Sequence, residues 1–428
     1  MPPPPTPARH RWLLPLVFSL MAALVLGAGA VAAVRVLGPP PPPRLELGLP
    51  ATLAVAPGSA AAIPLPATGS FDLASTDRGR LAEVTPSSVL PIGSIAKVMT
   101  ALVVLHQKPL TGDQPGPTYT ITAQDVGFYD QVVADNGSSL PVVSGEQFTE
   151  RQLLLALLLP SANNIADTLA VWVAGSETAF VADLNAEAKT LGMARTVFAD
   201  ASGFSPQTVS TAADLVELGQ AALANRTLAA LVTTPSAVMP DGSTVQNLDS
   251  DLKTVPGWLG IKTGSTSQAG GCFLFAADRP GPLGGSPEVT VVGAVLGVVT
   301  PDGAVDEELA SALSAAAAAV KAAFGAYRTV DLRKLTPPAL PGALRSAWGT
   351  SAGVQATLEG GASSVVFRVG ATLRLSATAV HIPDASTVGA GTVVAHVTGR
   401  LGGTTVATWK VSATGGLGQP TWQWLLTH

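Results

Sequence analysis

The chain has 428 residues, enough for two folded domains of ordinary size with tails. Charged residues are only 12% and the mean hydropathy is +0.39, so part of the chain is expected to sit in a membrane. A net charge of −5 provides no broad basic surface for a phosphate backbone, which excludes nucleic acid as a partner. The single cysteine, Cys272, forbids an intramolecular disulfide and leaves the compartment open.

The compartment is read from the N-terminus. Residues 12–34, "WLLPLVFSLMAALVLGAGAVAAV", carry no charge, with Arg9, His10 and Arg11 just before them and Arg35 just after. This is an export signal whose basic end, residues 1–11, stays in the cytoplasm. A helix of that length rises about 34 Å, enough to span a bilayer, so an uncleaved transmembrane anchor is expected. Small residues at Ala28, Ala30, Ala32 and Ala33 keep cleavage and secretion open as the alternative. Five prolines, Pro39–Pro43, then predict a stiff polyproline stalk over 35–48. Folded sequence is expected from Leu49, and the stretch around Asp77, Arg78 and Gly79 reads as a hairpin turn.

Chemistry enters at "PIGSIAKVMT", residues 91–100. Ile95, Val98, Met99, Leu102 and Leu105 recur at helical spacing and Pro109 ends the run. Ser94 and Lys97 then share one helical face, a hydroxyl beside an amine, the makings of a nucleophile and its base. Taken alone, Ser94 reads equally as a helix cap and Lys97 as a first-turn surface lysine. Two further signals follow. In "TERQLLLALLLPSANNIADTLAVWV", Thr149 and Gln152 form a capping-box pattern and Pro160 breaks a buried leucine helix, placing Ser161 and Asn163 in a tight junction. Both also suit plain turn and cap roles. In "GWLGIKTGSTSQAGGCFLFAA", Lys262, Thr263 and Gly264 open a strand, where a lysine can also serve as edge protection. Gly264 would let a ligand approach the backbone closely, and Cys272 is expected in the core.

SIAK, SAN and KTG, in that order, resemble the three motifs of the penicillin-recognising serine enzymes. With "VSGEQFTERQLLLALLLPSANNIADTLA", "LGMARTVFADASGF" and "VSTAADLVELG", residues from about Leu49 to Tyr327 resemble the low-molecular-mass penicillin-binding D-alanyl-D-alanine carboxypeptidases, peptidase family S11. That resemblance implies an α/β (α+β) β-lactamase/transpeptidase-like domain over 49–328, with an antiparallel sheet and a helical region meeting at the site. It implies Ser94 as acylated nucleophile, Lys97 as general base and Ser161 as proton relay. Asn163 would bind the substrate amide, and Lys262 and Thr263 its terminal carboxylate. Backbone N–H groups of Ser94 and Ser265 would form the oxyanion hole beside Gly264. The implied substrate is a peptidoglycan stem peptide ending in D-Ala-D-Ala, cut without metal or cofactor, and β-lactams would inhibit. An endopeptidase, a transpeptidase, a β-lactamase or a silent penicillin sensor on the same fold are the alternatives.

One departure stands out: some relatives carry a carboxylate-binding arginine in the stretch matching 297–309, and none occurs here. Residues 329–428 change character. "SSVVFRVGATLRLSATAV" and "GTVVAHVTGRLGGTTVATWKV" set β-branched residues between glycine turns, predicting a small all-β C-terminal domain.

Overall fold

The computed structural model describes residues 13–76, 79–84, 88–279, 289–335, 342–360 and 364–428. Asp77 and Arg78 of the expected hairpin tip, and Arg9, His10 and Arg11 before the apolar segment, lie outside the described residues. That apolar segment is one helix, Leu13–Leu37, long and apolar enough to cross a membrane. The chain divides into two compact units, Ala60–Tyr327 and a second that joins Met1–Ser59, with this helix, to Arg328–His428.

The first unit combines an antiparallel sheet with a helical core. Its five strands run in the order Trp258–Thr266, Gly270–Arg279, Val289–Val298, Ser70–Ser75 and Gly79–Glu83. Side chains alternate across the sheet. Leu274, Ala276, Val292 and Ala294 join the core built by the helices. Phe273 and Phe275 alternate with them, tilted at 5.7 Å from one another; both stack with Trp258 at 6.0 Å, and Phe275 also stacks with Phe71 at 6.5 Å. The helix Ala212–Ala224 packs on this sheet, as does the helix Val305–Gly325, which buries a stripe of Ala312, Ala316, Ala319 and Ala323.

The central helix is Ala96–Gln107, and every residue from Ala96 to Leu105 is buried. The sequence shows one apolar face, yet the structure covers all faces, because the helices Glu150–Leu158, Asn163–Ala174, Glu177–Thr190 and Ala212–Ala224 surround it. The capping box at Thr149 and Gln152 is formed in both halves and starts Glu150–Leu158. Pro160 follows its end, so Asn163 opens a new helix.

The second unit is all-β apart from short helices and the N-terminal helix. Its seven-stranded sheet runs Arg44–Leu47, Gly342–Arg345, Ser351–Leu358, Thr404–Ala413, Val393–Leu401, Thr372–Ala379 and Thr52–Ala54. Leu53, Phe367, Leu373, Val397, Trp409 and Val411 fill its core. This differs from the expected boundaries. Arg44–Leu47 is a strand rather than the end of a stalk, and Leu49–Ser59 belongs with the C-terminal sheet rather than with the peptidase domain. The reason is pairing: Arg44–Leu47 finds its partner at 342–345, a separation that no local pattern reveals.

Glu150 begins its helix fully buried, with neither carboxylate oxygen hydrogen-bonded. Burial pushes its pKa up to about 7 from 4.5, against the pull of Lys108. Between those values the folded chain holds a proton that the unfolded chain has lost, so this group's contribution to stability falls as pH rises through the window. Glu150→Gln should therefore raise the melting temperature at pH 8 and change it little near pH 4. A lower melting temperature at pH 8, measured by calorimetry, would contradict this.

Candidate active site

Ser94 lies in a single 3-10 turn, Gly93–Ile95, that leads into the central helix. The helix N-terminus has no side-chain cap, so Ser94 is not spent as one. Its Oγ stands 2.9 Å from Lys97 Nζ, as the three-residue spacing requires. Lys97 is fully buried and donates to two carbonyl oxygens besides, Asn163 Oδ1 at 2.7 Å and Ser202 O at 2.8 Å. No carboxylate touches it among the described residues. Burial pushes its pKa well below the ordinary lysine value, and the Lys262 charge pushes the same way, while Asp200 and Asp167 oppose. Burial is the larger of the two causes, and both favour the neutral amine.

The junction after Pro160 delivers Asn163. Its backbone N–H donates to Ser138 O at 2.8 Å, and its neighbour Asn164 clamps Leu140 through both backbone groups, at 2.9 and 3.0 Å. Asn164 was not singled out by the sequence, where a second asparagine after SAN reads as helix filler; its burial is what reveals it. Ser161 is buried with a left-handed backbone, φ +65°. Its Oγ has no hydrogen-bond partner, so the structure sets it two residues from Asn163 without joining it to the bonded group.

Lys262 and Thr263 sit on Trp258–Thr266, the edge strand of the sheet, and both are buried. Lys262 Nζ donates to Thr263 O at 3.0 Å. Burial lowers its pKa to about 7, with Asp249 opposing; Asp249 in turn accepts from Trp258 Nε1 at 2.8 Å. Gly264 has a tighter reason to be glycine than the ligand approach expected from sequence. A Cβ there would lie 2.9 Å from Ile92 O and 3.0 Å from Ser94 N, so it is the serine turn that presses on this strand.

A cleft of about 440 Å³ opens on this group, lined by Ser94, Asn136, Asn163, Phe204, Ser265 and Gln268 among others. Ser94, Lys97 and Asn163 are bonded together. Ser265 shares the cleft wall, while Lys97, Lys262 and Thr263 lie behind the surface. No arginine lines the cleft among the described residues. Nor do they contain a group of three or more His, Cys, Asp or Glu able to hold a metal ion. Cys272 is buried, its thiol pushed up to about 12, as a core residue.

The family model described as D-alanyl-D-alanine carboxypeptidase, Peptidase S11, matches residues 69–286. D-alanyl-D-alanine carboxypeptidase DacB2 of Mycobacterium tuberculosis is 35% identical over 237 residues, covering 53% of this chain and 76% of that protein. D-alanyl-D-alanine endopeptidase of Pseudomonas aeruginosa is 32% identical over 242 residues, 54% of this chain and 74% of that one. The crystal structure of the Streptomyces K15 DD-transpeptidase superposes with a TM-score of 0.53 at 28% identity, over 62% of this chain and 99% of that one. A match spanning half the chain, with relatives this similar over most of their own length, means that the protein belongs to peptidase family S11, the serine hydrolases of the penicillin-binding class.

Proposed function

We propose that the protein acylates Ser94 with peptidoglycan stem peptides ending in D-Ala-D-Ala, releases the terminal D-alanine, and passes the acyl group to an amine of a second peptide. The observation that carries this is the set of contacts at Lys97 Nζ. A neutral amine has two N–H donors and one lone pair. Asn163 Oδ1 and Ser202 O are acceptors and occupy the two donors. The lone pair is left for the hydroxyl proton of Ser94, 2.9 Å away.

In this reading Ser94 Oγ attacks the carbonyl of the penultimate residue while its proton passes to Lys97. The N–H groups of Ser94 and Ser265 stabilise the oxyanion, worth on the order of 3 kcal/mol for each donor in comparable sites. Asn163 binds the substrate amide, and Lys262 with Thr263 holds the terminal carboxylate as the substrate reaches past the cleft wall. Ser161, its hydroxyl unpartnered, passes a proton to the departing amine. An amine or water then opens the ester. Transfer to an amine is supported by the likeness to a solved DD-transpeptidase. Hydrolysis, which would make the protein a carboxypeptidase, is a second reading supported by the 35% identity to the mycobacterial protein of that name. A β-lactam would acylate the same serine. The Leu13–Leu37 helix is proposed as a single-pass anchor that holds the catalytic unit outside the cell membrane.

Incubated in detergent with a D-Ala-D-Ala peptide, the full-length protein should release D-alanine without added metal. Rising concentrations of a glycyl amine should divert product from the hydrolysed to the transferred peptide, followed by mass spectrometry. Hydrolysed product alone at every amine concentration would reject transfer in favour of the carboxypeptidase. No D-alanine, despite stoichiometric penicillin labelling of Ser94, would indicate a sensor.

Because guanidinium stays charged, Lys97→Arg should slow fluorescent-penicillin labelling of Ser94 by roughly a hundredfold or more, the scale of a lost general base. Labelling at near wild-type rate would remove Lys97 from that role. For the anchor, membrane fractionation after bacterial expression should retain the intact chain. Protein found in the medium with its N-terminus near Arg35, by N-terminal sequencing, would instead show a cleaved signal.

A further inference from the structure

The carbonyl that holds Lys97 belongs to a loop with an unusual hub. Asp200 Oδ2 accepts from Ser202 Oγ at 2.7 Å, Phe204 N at 2.8 Å and Ser205 N at 3.3 Å, and Oδ1 accepts from Thr208 Oγ1 at 2.5 Å. One carboxylate thus pins the loop at Ser202, the residue whose carbonyl takes an N–H of Lys97, and at three residues after it. The same loop is fastened to the catalytic elements on both sides. Thr100 Oγ1, one turn along the central helix from Lys97, donates to Ala201 O at 2.7 Å. Ile92 N donates to Thr208 O at 3.2 Å, beside the serine turn. Gly203, at φ +76°, lies against Gly93, where a Cβ would come within 1.8 Å of Gly93 O. Phe204, the next residue, is a wall of the cleft.

We infer that Asp200 is a positioning residue of the reaction, holding the Ser202 carbonyl against Lys97 and the Phe204 wall against the substrate. The inference rests on the acyl-enzyme reading of Ser94 and Lys97. Without the carboxylate, the loop loses four hydrogen bonds, and the Ser202 carbonyl is free to leave Lys97. The amine then has an unoccupied N–H and no fixed direction for its lone pair. A misplacement of this kind, on the order of 1 Å, is enough to cost up to a hundredfold in rate.

Asp200 acts through charge as well. The groups facing Lys97 are Lys262 from the edge strand, Asp200 from this loop and Asp167 from the helix Asn163–Ala174, with Glu177 next to the two acids. Of the two acids, Asp200 pulls more strongly toward the charged amine than Asp167 does. Replacing it with a neutral isostere leaves Lys97 deprotonated to lower pH, so the limb on which acylation rises with pH must move in the acid direction.

The test measures fluorescent-penicillin acylation of the full-length chain from pH 5 to 10, with melting temperatures alongside. Asp200→Ala should acylate roughly tenfold to a hundredfold more slowly than wild type at the optimum. Asp200→Asn, which keeps the shape and some of the acceptors, should lose less rate and show its rising limb at lower pH. If the alanine variant does not fold, the asparagine variant decides. A merely structural role would lower the melting temperature without moving the limb. Asp200→Asn with wild-type rate and an unmoved limb would overturn the inference while leaving the acyl-enzyme reading standing. Failure of wild type to label at Ser94 would overturn both.

Discussion

Everything in the catalytic unit turns on how one amine is buried. Lys97 is fully enclosed in an apolar helical core, and a charged ammonium there would need a carboxylate to offset its lost hydration. None touches it among the described residues. Two carbonyl oxygens occupy its N–H groups instead, which satisfies a neutral amine and leaves an ammonium short of a counter-charge. The surroundings favour the neutral amine, and in the proposed reaction it is that amine which takes the proton of the neighbouring serine.

Each acceptor comes from a different part of the chain, so the fold is organised around bringing them to one point. Pro160 breaks a helix so that Asn163 can begin another at the right place. The 200–208 loop carries Ser202 O in from the opposite side, and its glycine at 203 allows it to lie directly on the serine turn. From the sheet, the edge strand approaches that same turn closely enough that only glycine fits at 264. The serine turn is therefore gripped between loop and strand, and neither contact tolerates a side chain at the point of approach.

The costs collect at this site. Ser161 holds a left-handed backbone, a conformation worth about 1–3 kcal/mol of strain for a residue that is not glycine. Its buried hydroxyl makes no bond, a further cost of about 1–3 kcal/mol. Lys262 is buried, and its hydrogen-bond partner among the described residues is its own neighbour's carbonyl. These are offset by the core. Leu153, Leu154, Leu157 and Ile165, fully buried on the two helices flanking the junction, contribute roughly 1.5–3 kcal/mol each.

Local chemistry was legible in the sequence alone. The Ser94–Lys97 spacing, the capping box at Thr149, the break at Pro160, the apolar N-terminal helix and the β-rich C-terminal residues all follow from periodicity, caps and composition, which act over a few residues. So did the order of the three motifs and the family they resemble. The tertiary structure decided what depends on distant partners. The first strand of the second unit pairs with residues 342–345, so chain that reads as stalk and as the start of the peptidase domain belongs to the C-terminal sheet. Asp200, Ser202 and Asn164 look like ordinary loop and helix residues in one dimension; folding sets Ser202 O against Lys97, Asn164 against Leu140 and the Asp200 carboxylate against four residues of its own loop. A serine and a lysine three residues apart can be read from spacing, but whether that lysine is a base depends on how much water and which carbonyls surround it, and those are fixed only when the chain closes on itself.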